Sequence, residues 1–140
     1  MATARDLRAG LKARLETMNG VKGRVYTRWP SQMDFPCAVI TRGRAEPEQT
    51  MGRGDLTRWE FEVYLLASLA PNYEGAQDRL DTFINTSSTG GVYTAIHNDR
   101  TLGGAASYTF VMGIREDEQV ELTESLAAMG AVVELQVWAT

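Results

Sequence analysis

His97 and Cys37 are the residues best suited to chemistry, because they are the only histidine and the only cysteine of the chain. Asp99 follows His97 by two residues, so a Ser-His-Asp or Cys-His nucleophile system would have to be built around this pair. No nucleophile elbow surrounds Ser87, Ser88 or Cys37. Cys37 and His97 are too far apart in sequence to give a metal-ligand spacing. The sequence therefore predicts no catalytic residue, no metal site and no cofactor, and it favours His97 as a surface histidine.

Charged residues of each sign are concentrated in one region of the sequence. The basic group lies in or beside the loop that precedes the central strand and contains Arg42, Arg44, Arg53 and Arg58. The acidic group lies near the C-terminus and contains Glu116, Asp117, Glu118, Glu121 and Glu124. The formal net charge of -4 argues against general nucleic-acid binding, which usually leaves a basic footprint. Two patches of opposite sign indicate contacts within the molecule or between identical copies, with two solvated loops as the alternative.

Tryptophan side chains are candidates for interface anchors. Trp59 shares the apolar face of its strand, which favours core packing. Trp138 is out of phase with Val133 and Val137, so we expect it on the opposite face of the last strand. A tryptophan on that face is a candidate anchor for an interface with another subunit or another protein.

The clearest structural pattern lies in residues 57–84, where a strand is followed at once by a helix. Trp59, Phe61, Val63 and Leu65 alternate with other residues, which is typical of a half-buried strand. From residue 73 onward the apolar residues recur at a spacing near 3.6, which is typical of an amphipathic helix. This segment predicts a strand that packs directly against its own helix.

The remaining elements follow from the same two periods. We expect a helix over residues 3–18, strands over 23–29, 37–44, 106–118 and 129–139, and one or two helical turns over 92–98. The fourth strand places Tyr108, Phe110, Met112 and Ile114 on one face. Residues 45–56 are predicted to be a flexible hairpin tip because they are rich in glycine and charge, and residues 116–126 fit either a hairpin tip or a brief helix.

These elements predict one α+β domain over residues 1–140, with the order α-β-β-β-α-(α)-β-β. A mainly antiparallel sheet of about four or five strands would carry two main helices on one face. The length of 140 residues and the hydrophobic fraction of 44% suit such a domain. No segment approaches the roughly 18 consecutive apolar residues that cross a bilayer, and the N-terminus lacks the apolar core of a secretory signal. We therefore expect cytosolic synthesis and no membrane partner.

The order of these segments resembles the tail terminator, or tail-completion, proteins of long-tailed phages, of the type known from phage lambda. The resemblance rests on MNGVKGRVY after the first helix, the proline-bracketed CAVI strand, and WEFEVYLLAS running into YEGAQDRLDTFI. The resemblance also includes the segment GGVYTAIHNDRTLGG and the two long C-terminal strands. The matching segments are residues 18–26, 36–40, 59–68, 73–84, 90–104 and 106–138. The resemblance is one of pattern over nearly the whole chain.

This resemblance implies a structural protein of the virion, made in the host cytoplasm and located at the head-proximal end of the tail. The expected assembly is a homo-hexameric ring that caps the tail tube, stops its polymerisation and docks to a neck or connector protein. DNA would pass through the lumen of the ring without sequence-specific binding. No catalytic residue is implied.

The sequence leaves several alternatives open. The acidic residues fit either a subunit interface, opposite the arginine-bearing hairpin, or the lumen of the ring, where like charge would let DNA slide. Another head-tail connector of similar size, such as a neck or stopper protein, is an alternative that differs in its partner more than in its fold. A small peptide- or nucleic-acid-binding module is a further alternative of a different class.

Overall fold

The computed structural model describes residues 3–18, 21, 23–28, 35–48, 56–68, 73–84, 91–123 and 126–139. Along these residues the elements are α1 (Ala4–Leu15), β1 (Val25–Tyr26), β2 (Cys37–Glu48), β3 (Leu56–Ser68), α2 (Tyr73–Ile84), α3 (Val92–His97), β4 (Tyr108–Thr123) and β5 (Leu126–Ala139). A short 3₁₀ turn at Leu102–Gly104 precedes β4. The mixed sheet and the order of the elements confirm the α+β class predicted from the sequence.

Helix α1 begins at a capping box. The hydroxyl of Thr3 accepts a hydrogen bond from the backbone N–H of Asp6 at 3.2 Å, and the carboxylate of Asp6 accepts one from the backbone N–H of Thr3 at 3.0 Å. Leu7, Leu11 and Leu15 lie one turn apart and are fully buried. The helix ends at Leu15, three residues before the predicted end, and the chain continues in turns.

The five strands form one sheet in the order β1-β2-β3-β5-β4. β1 pairs with β2 in parallel, and the other neighbouring strands are antiparallel. β3 and β5 lie in the middle, and β4 is an edge strand. This sheet is mainly antiparallel, as the alternating sequence pattern predicted.

One face of the sheet holds the main hydrophobic core. Phe61, Val63 and Leu65 of β3 point to this face, where α1, α2 and α3 bury their apolar residues against them. The alternating residues of β5 do the same, namely Ala131, Val133, Leu135, Val137 and Ala139. The strand-to-helix segment at residues 57–84 is therefore part of the scaffold, since Leu80 and Phe83 of α2 pack into the same core.

A β-bulge in β4 changes which residues of this strand face the core. Val111 pairs with Leu135, but Gly113 pairs with Glu134 and Ile114 with Val133, so Met112 is the extra residue. The prediction that Tyr108, Phe110, Met112 and Ile114 share one face is therefore wrong. Ile114 packs against the core, whereas the other three are exposed by 36%, 40% and 59%. One inserted residue reverses the facing of the residues that follow it, up to the next register shift between Arg115 and Glu118, because the side-chain period of a strand is two.

Both hairpins are longer than the sequence predicted. β2 runs to Glu48 and β3 starts at Leu56, so both ends of the hairpin tip predicted at residues 45–56 belong to paired strands. Residues 49–55 lie outside the described residues. β4 runs to Thr123, so the acidic segment is a strand up to that residue and not a brief helix.

A small hydrophobic cluster lies at one end of the opposite face of the sheet. Cys37, Val39 and Leu66 are fully buried there and pack with partly buried aromatic residues, among them Tyr26 and Tyr64. Further along this face the side chains become charged and then aromatic. This face, directed away from the helices, positions the candidate site.

Candidate functional site

An apolar surface lies on the face of the sheet directed away from the helices. It consists of the exposed Tyr108, Phe110 and Met112 of β4 and the half-buried Trp138 of β5, and we call it the aromatic patch. Tyr108 pairs directly with Trp138, and the rings of Tyr108 and Phe110 are 4.4 Å apart between centroids and tilted by 48°. A shallow depression of about 520 Å³ lies over this surface. Clustered aromatic side chains of this kind are typical of surfaces that another molecule covers.

Two arginines border the aromatic patch. The guanidinium of Arg58 lies 5.9 Å from the centre of the Trp138 ring, and that of Arg100 lies 5.1 Å from the centre of the Tyr108 ring. Arg100 also donates a hydrogen bond to the hydroxyl of Tyr108. Both positions fit cation–π contacts, which hold an aromatic ring and a positive charge in one surface. The patch is therefore apolar in its centre and positively charged beside it.

Trp138 is held by its neighbours on β5 and β3. Its indole Nε1 donates a hydrogen bond to the side-chain carbonyl of Gln136 at 3.2 Å. Arg58 reaches it because β3 pairs with β5 in the register that places Arg58 opposite Trp138. The structure thus places Trp138 on the face opposite Val137, as predicted, and brings two of the predicted residues together.

A charged band separates the aromatic patch from the small buried cluster at the other end of this face. Glu62 and Glu134 lie directly opposite each other on β3 and β5, where like charges destabilise a sheet. Arg115 lies between them, 3.5 Å from Glu62 and 3.4 Å from Glu134, and Tyr64 donates its hydroxyl to Glu62 at 3.3 Å. These ion pairs are at least one third exposed, so each contributes little because solvent screens it. Together they hold the band in one arrangement.

The predicted basic residues lie on the long β2–β3 hairpin. Arg42 and Arg44 are within β2, opposite Phe61 and Glu60, and Arg58 is within β3. All three belong to paired strands beside the hairpin tip, in agreement with the strands predicted over residues 37–44 and from residue 57. Arg53 lies outside the described residues.

The predicted acidic residues lie on the β4–β5 hairpin. Glu116, Asp117, Glu118 and Glu121 are within β4, and Glu124 lies outside the described residues. Glu118 is opposite Gly130 and Glu121 is opposite Ala127, close to the start of β5. Because β3 begins beside the end of β5, the two hairpins point toward opposite ends of the sheet.

His97 lies beside the aromatic patch and is held by two neighbours. Its ring stacks on Tyr93 with 3.8 Å between centroids, and Nε of Arg100 donates a hydrogen bond to Nδ1 at 3.2 Å. Burial lowers the pKa of His97, and the positive charge of Arg100 lowers it further. A neutral imidazole that accepts from Arg100 therefore links α3 to the edge strand through Arg100 and Tyr108.

Asp99 does not form a dyad with His97. Its carboxylate accepts hydrogen bonds from the hydroxyl and backbone N–H of Thr101, at 2.6 and 3.1 Å, and from the backbone N–H of Gly103 at 3.0 Å. These bonds, led by that from the Thr101 hydroxyl, lower the pKa of Asp99. The pair noted in the sequence thus serves two different local structures.

Sequence reasoning missed most of the aromatic patch and the cationic groups outside the β2–β3 hairpin. Tyr108, Phe110 and Met112 alternate like core residues, and only the register of β4 against β5, with its bulge at Met112, shows that they are exposed. Arg100 is isolated in the sequence, so no local pattern marks it. Arg5 and Arg8 lie three residues apart on α1, so a local pattern does mark these two arginines as neighbours on one helix face.

The sequence matches no known protein-family model, and it matches no curated protein. Among the described helices none is long and apolar enough to span a membrane. Among the described residues no cluster of histidine, cysteine and carboxylate side chains forms a metal site.

Proposed function

We propose that this chain is a structural protein of a phage tail that assembles as a homo-hexameric ring on the end of the tail tube. The ring stops polymerisation of the tube and presents the surface that docks to the neck protein at the head-proximal end. It is made in the host cytoplasm and becomes part of the virion. DNA passes through its lumen without sequence-specific contacts.

The observation that carries this proposal is the position of the two charged hairpins at opposite ends of the sheet. Arg58 lies beside Trp138 and Glu121 beside Ala127, so about 11 residues of β5, or roughly 36 Å, separate the two positions. These two charges do not meet within one molecule. A contact between them joins one end of a subunit to the other end of its neighbour. Such heterologous contacts form a ring when the rotation between neighbouring subunits closes.

The aromatic patch supports the same conclusion. It lies at the arginine-bearing end of the sheet, beside Arg58, and it combines aromatic side chains with positive charge. Aromatic residues, methionine and arginine are the residue types enriched at the centres of protein interfaces. An acidic segment of a neighbour is complementary to this surface. If the acidic residues instead face the lumen, the aromatic patch contacts the tail tube.

The first experiment tests the ring and its contacts. We expect light scattering coupled to gel filtration, or native mass spectrometry, to show a hexamer for the wild-type chain. The variants Trp138→Ala and Arg58→Glu should shift the population to smaller species, whereas Lys12→Glu on the exposed side of α1 is the matched charge-reversal control. The double variant Arg58→Glu with Glu121→Arg should restore the oligomer if the two ends meet. A wild-type chain that stays monomeric both at high concentration and on purified tail tubes would contradict the proposal.

A second experiment separates the terminator function from that of another head-tail connector. Purified tail-tube protein is polymerised with and without the chain, and tube lengths are measured by electron microscopy. The proposal predicts shorter tubes with density at one end. Binding to filled capsids with no effect on tube length would favour a neck or stopper protein instead.

A further inference from the structure

An open cleft of about 690 Å³ lies between α1 and the strands β1 and β2, far from the aromatic patch in the sheet. Three arginines line it, of which Arg5 and Arg8 come from α1 and Arg28 follows β1. Thr27 and Thr41 also line it. The volume lies within the range of small-ligand sites in proteins. We call this site the arginine cleft.

The positive charge of the arginine cleft is only partly offset within the described part of the chain. None of the described residues that line it is acidic, and its three guanidinium groups make no hydrogen bond or close ion pair with any described residue. Asp6 is adjacent in sequence, but its carboxylate is engaged by Thr3. The hydrogen bonds from Thr3 are the main cause that lowers the pKa of Asp6, with the charge of Arg5 a smaller one.

The arrangement of these arginines is unfavourable without an anion. Arg5 lies in the first turn of α1, where the positive end of the helix dipole repels a cation. Arg8 lies three residues later, so two like charges are neighbours on one helix face. Arg28 adds a third charge from the opposite wall of the cleft. A bound anion offsets all three repulsions.

We propose that the arginine cleft binds phosphate groups, supplied by a free polyphosphate or nucleotide or by a nucleic-acid backbone. A guanidinium presents two parallel N–H donors that match two phosphate oxygens, which is why arginine predominates at such sites. The hydroxyl of Thr27 adds a neutral donor. The hydroxyl of Thr41 donates to the carbonyl of Glu62 at 3.1 Å, so it is not counted among the donors to the ligand. This site is independent of the ring contacts proposed above.

The test uses sodium tripolyphosphate as the probe, titrated into the full chain by calorimetry and by thermal melting at constant ionic strength. We expect saturable binding and a raised Tm for the wild type. Arg8→Ala and Arg28→Ala should each weaken binding by about tenfold or more, since each removes a charge-assisted hydrogen-bond donor. Lys12→Ala removes an exposed cation of the same helix outside the cleft, so it is the matched control and should bind as the wild type does.

A second arm distinguishes the two sources of phosphate. A fluorescent DNA duplex is titrated by anisotropy at low and at moderate salt. Duplex binding that the Arg28→Ala variant loses assigns the phosphate to nucleic acid, and tripolyphosphate binding without duplex binding assigns it to a free ligand. Because Arg28 lies outside α1, its loss leaves the helix intact and separates binding from folding.

The proposal is overturned if neither probe binds, or if Lys12→Ala weakens binding as much as Arg8→Ala. It is also overturned if the cleft variants abolish oligomer formation while tripolyphosphate has no effect on the wild type. That result would assign the cleft to a contact between copies of the chain. A hexamer that forms normally without phosphate binding would leave the ring function standing and remove only the phosphate site.

Discussion

Thr109→Val is expected to stabilise the fold, because the hydroxyl of Thr109 is buried without a partner among the described residues. Thr109 is fully buried on the core face of β4, opposite Val137, and its Oγ1 makes no hydrogen bond there. A buried hydroxyl without a partner costs about 1 to 3 kcal/mol, and valine keeps the branched shape. We expect the free energy of unfolding to rise by about 1 to 2 kcal/mol. For a chain of 140 residues that corresponds to a Tm increase of about 3 to 7 °C.

The matched control is the same substitution at Thr41, whose hydroxyl donates to the carbonyl of Glu62 at 3.1 Å. Thr41→Val removes a formed hydrogen bond and should lower the free energy of unfolding by about 0.5 to 1.5 kcal/mol. Both variants are measured by urea denaturation and by calorimetry at equal protein concentration. The reasoning is refuted if Thr109→Val lowers stability, or if both substitutions shift it in the same direction.

Two further predictions concern helix packing and pH. Gly10→Ala should lower the free energy of unfolding by about 1 to 2 kcal/mol in urea titrations. A Cβ at residue 10 would lie 2.8 Å from both Cβ and the carbonyl oxygen of Leu102. The cost of this steric overlap outweighs the gain in helix propensity. Gly113→Ala, where the nearest atom lies 4.0 Å away, is the control, and equal losses at both positions would contradict the argument. The lowered pKa of His97 means that the unfolded chain binds the proton more readily below the ordinary histidine pKa, so stability should fall as pH drops from about 7 toward 5. His97→Gln should reduce the slope of stability against pH, measured as Tm in melts at several pH values. An unchanged slope would show that protonation of His97 does not cause the loss of stability.

The sequence predicted most of the elements but only Arg58 and Trp138 of the candidate site. The alternation in β3 and β5 and the leucine stripe of α1 are local periodic signals, and the structure confirms them in phase as well as in type. Trp138 was placed correctly because its strand has no irregularity against β3. In β4 the same reasoning placed Met112 with Ile114, and the bulge reverses their relation because one unpaired residue is enough to do so.

Local patterns also give no distance between residues that are remote in sequence. The three arginines of the cleft are brought together by the packing of α1 against the β1–β2 edge of the sheet, which no spacing in the sequence encodes. The contact of Arg58 with Trp138 likewise depends on the register of β3 against β5.

The sequence by itself determined the α+β class, the succession of helices and strands, and the existence of one basic and one acidic group of residues. These properties depend on side chains within about one turn or a few positions along a strand. Only the tertiary structure decided that the two charged hairpins point to opposite ends of the sheet, that the aromatic residues of β4 are exposed, and that arginines from α1 and the segment after β1 share a cleft. Strand order, register and helix packing decide these properties, because they fix long-range distances through burial of the whole core.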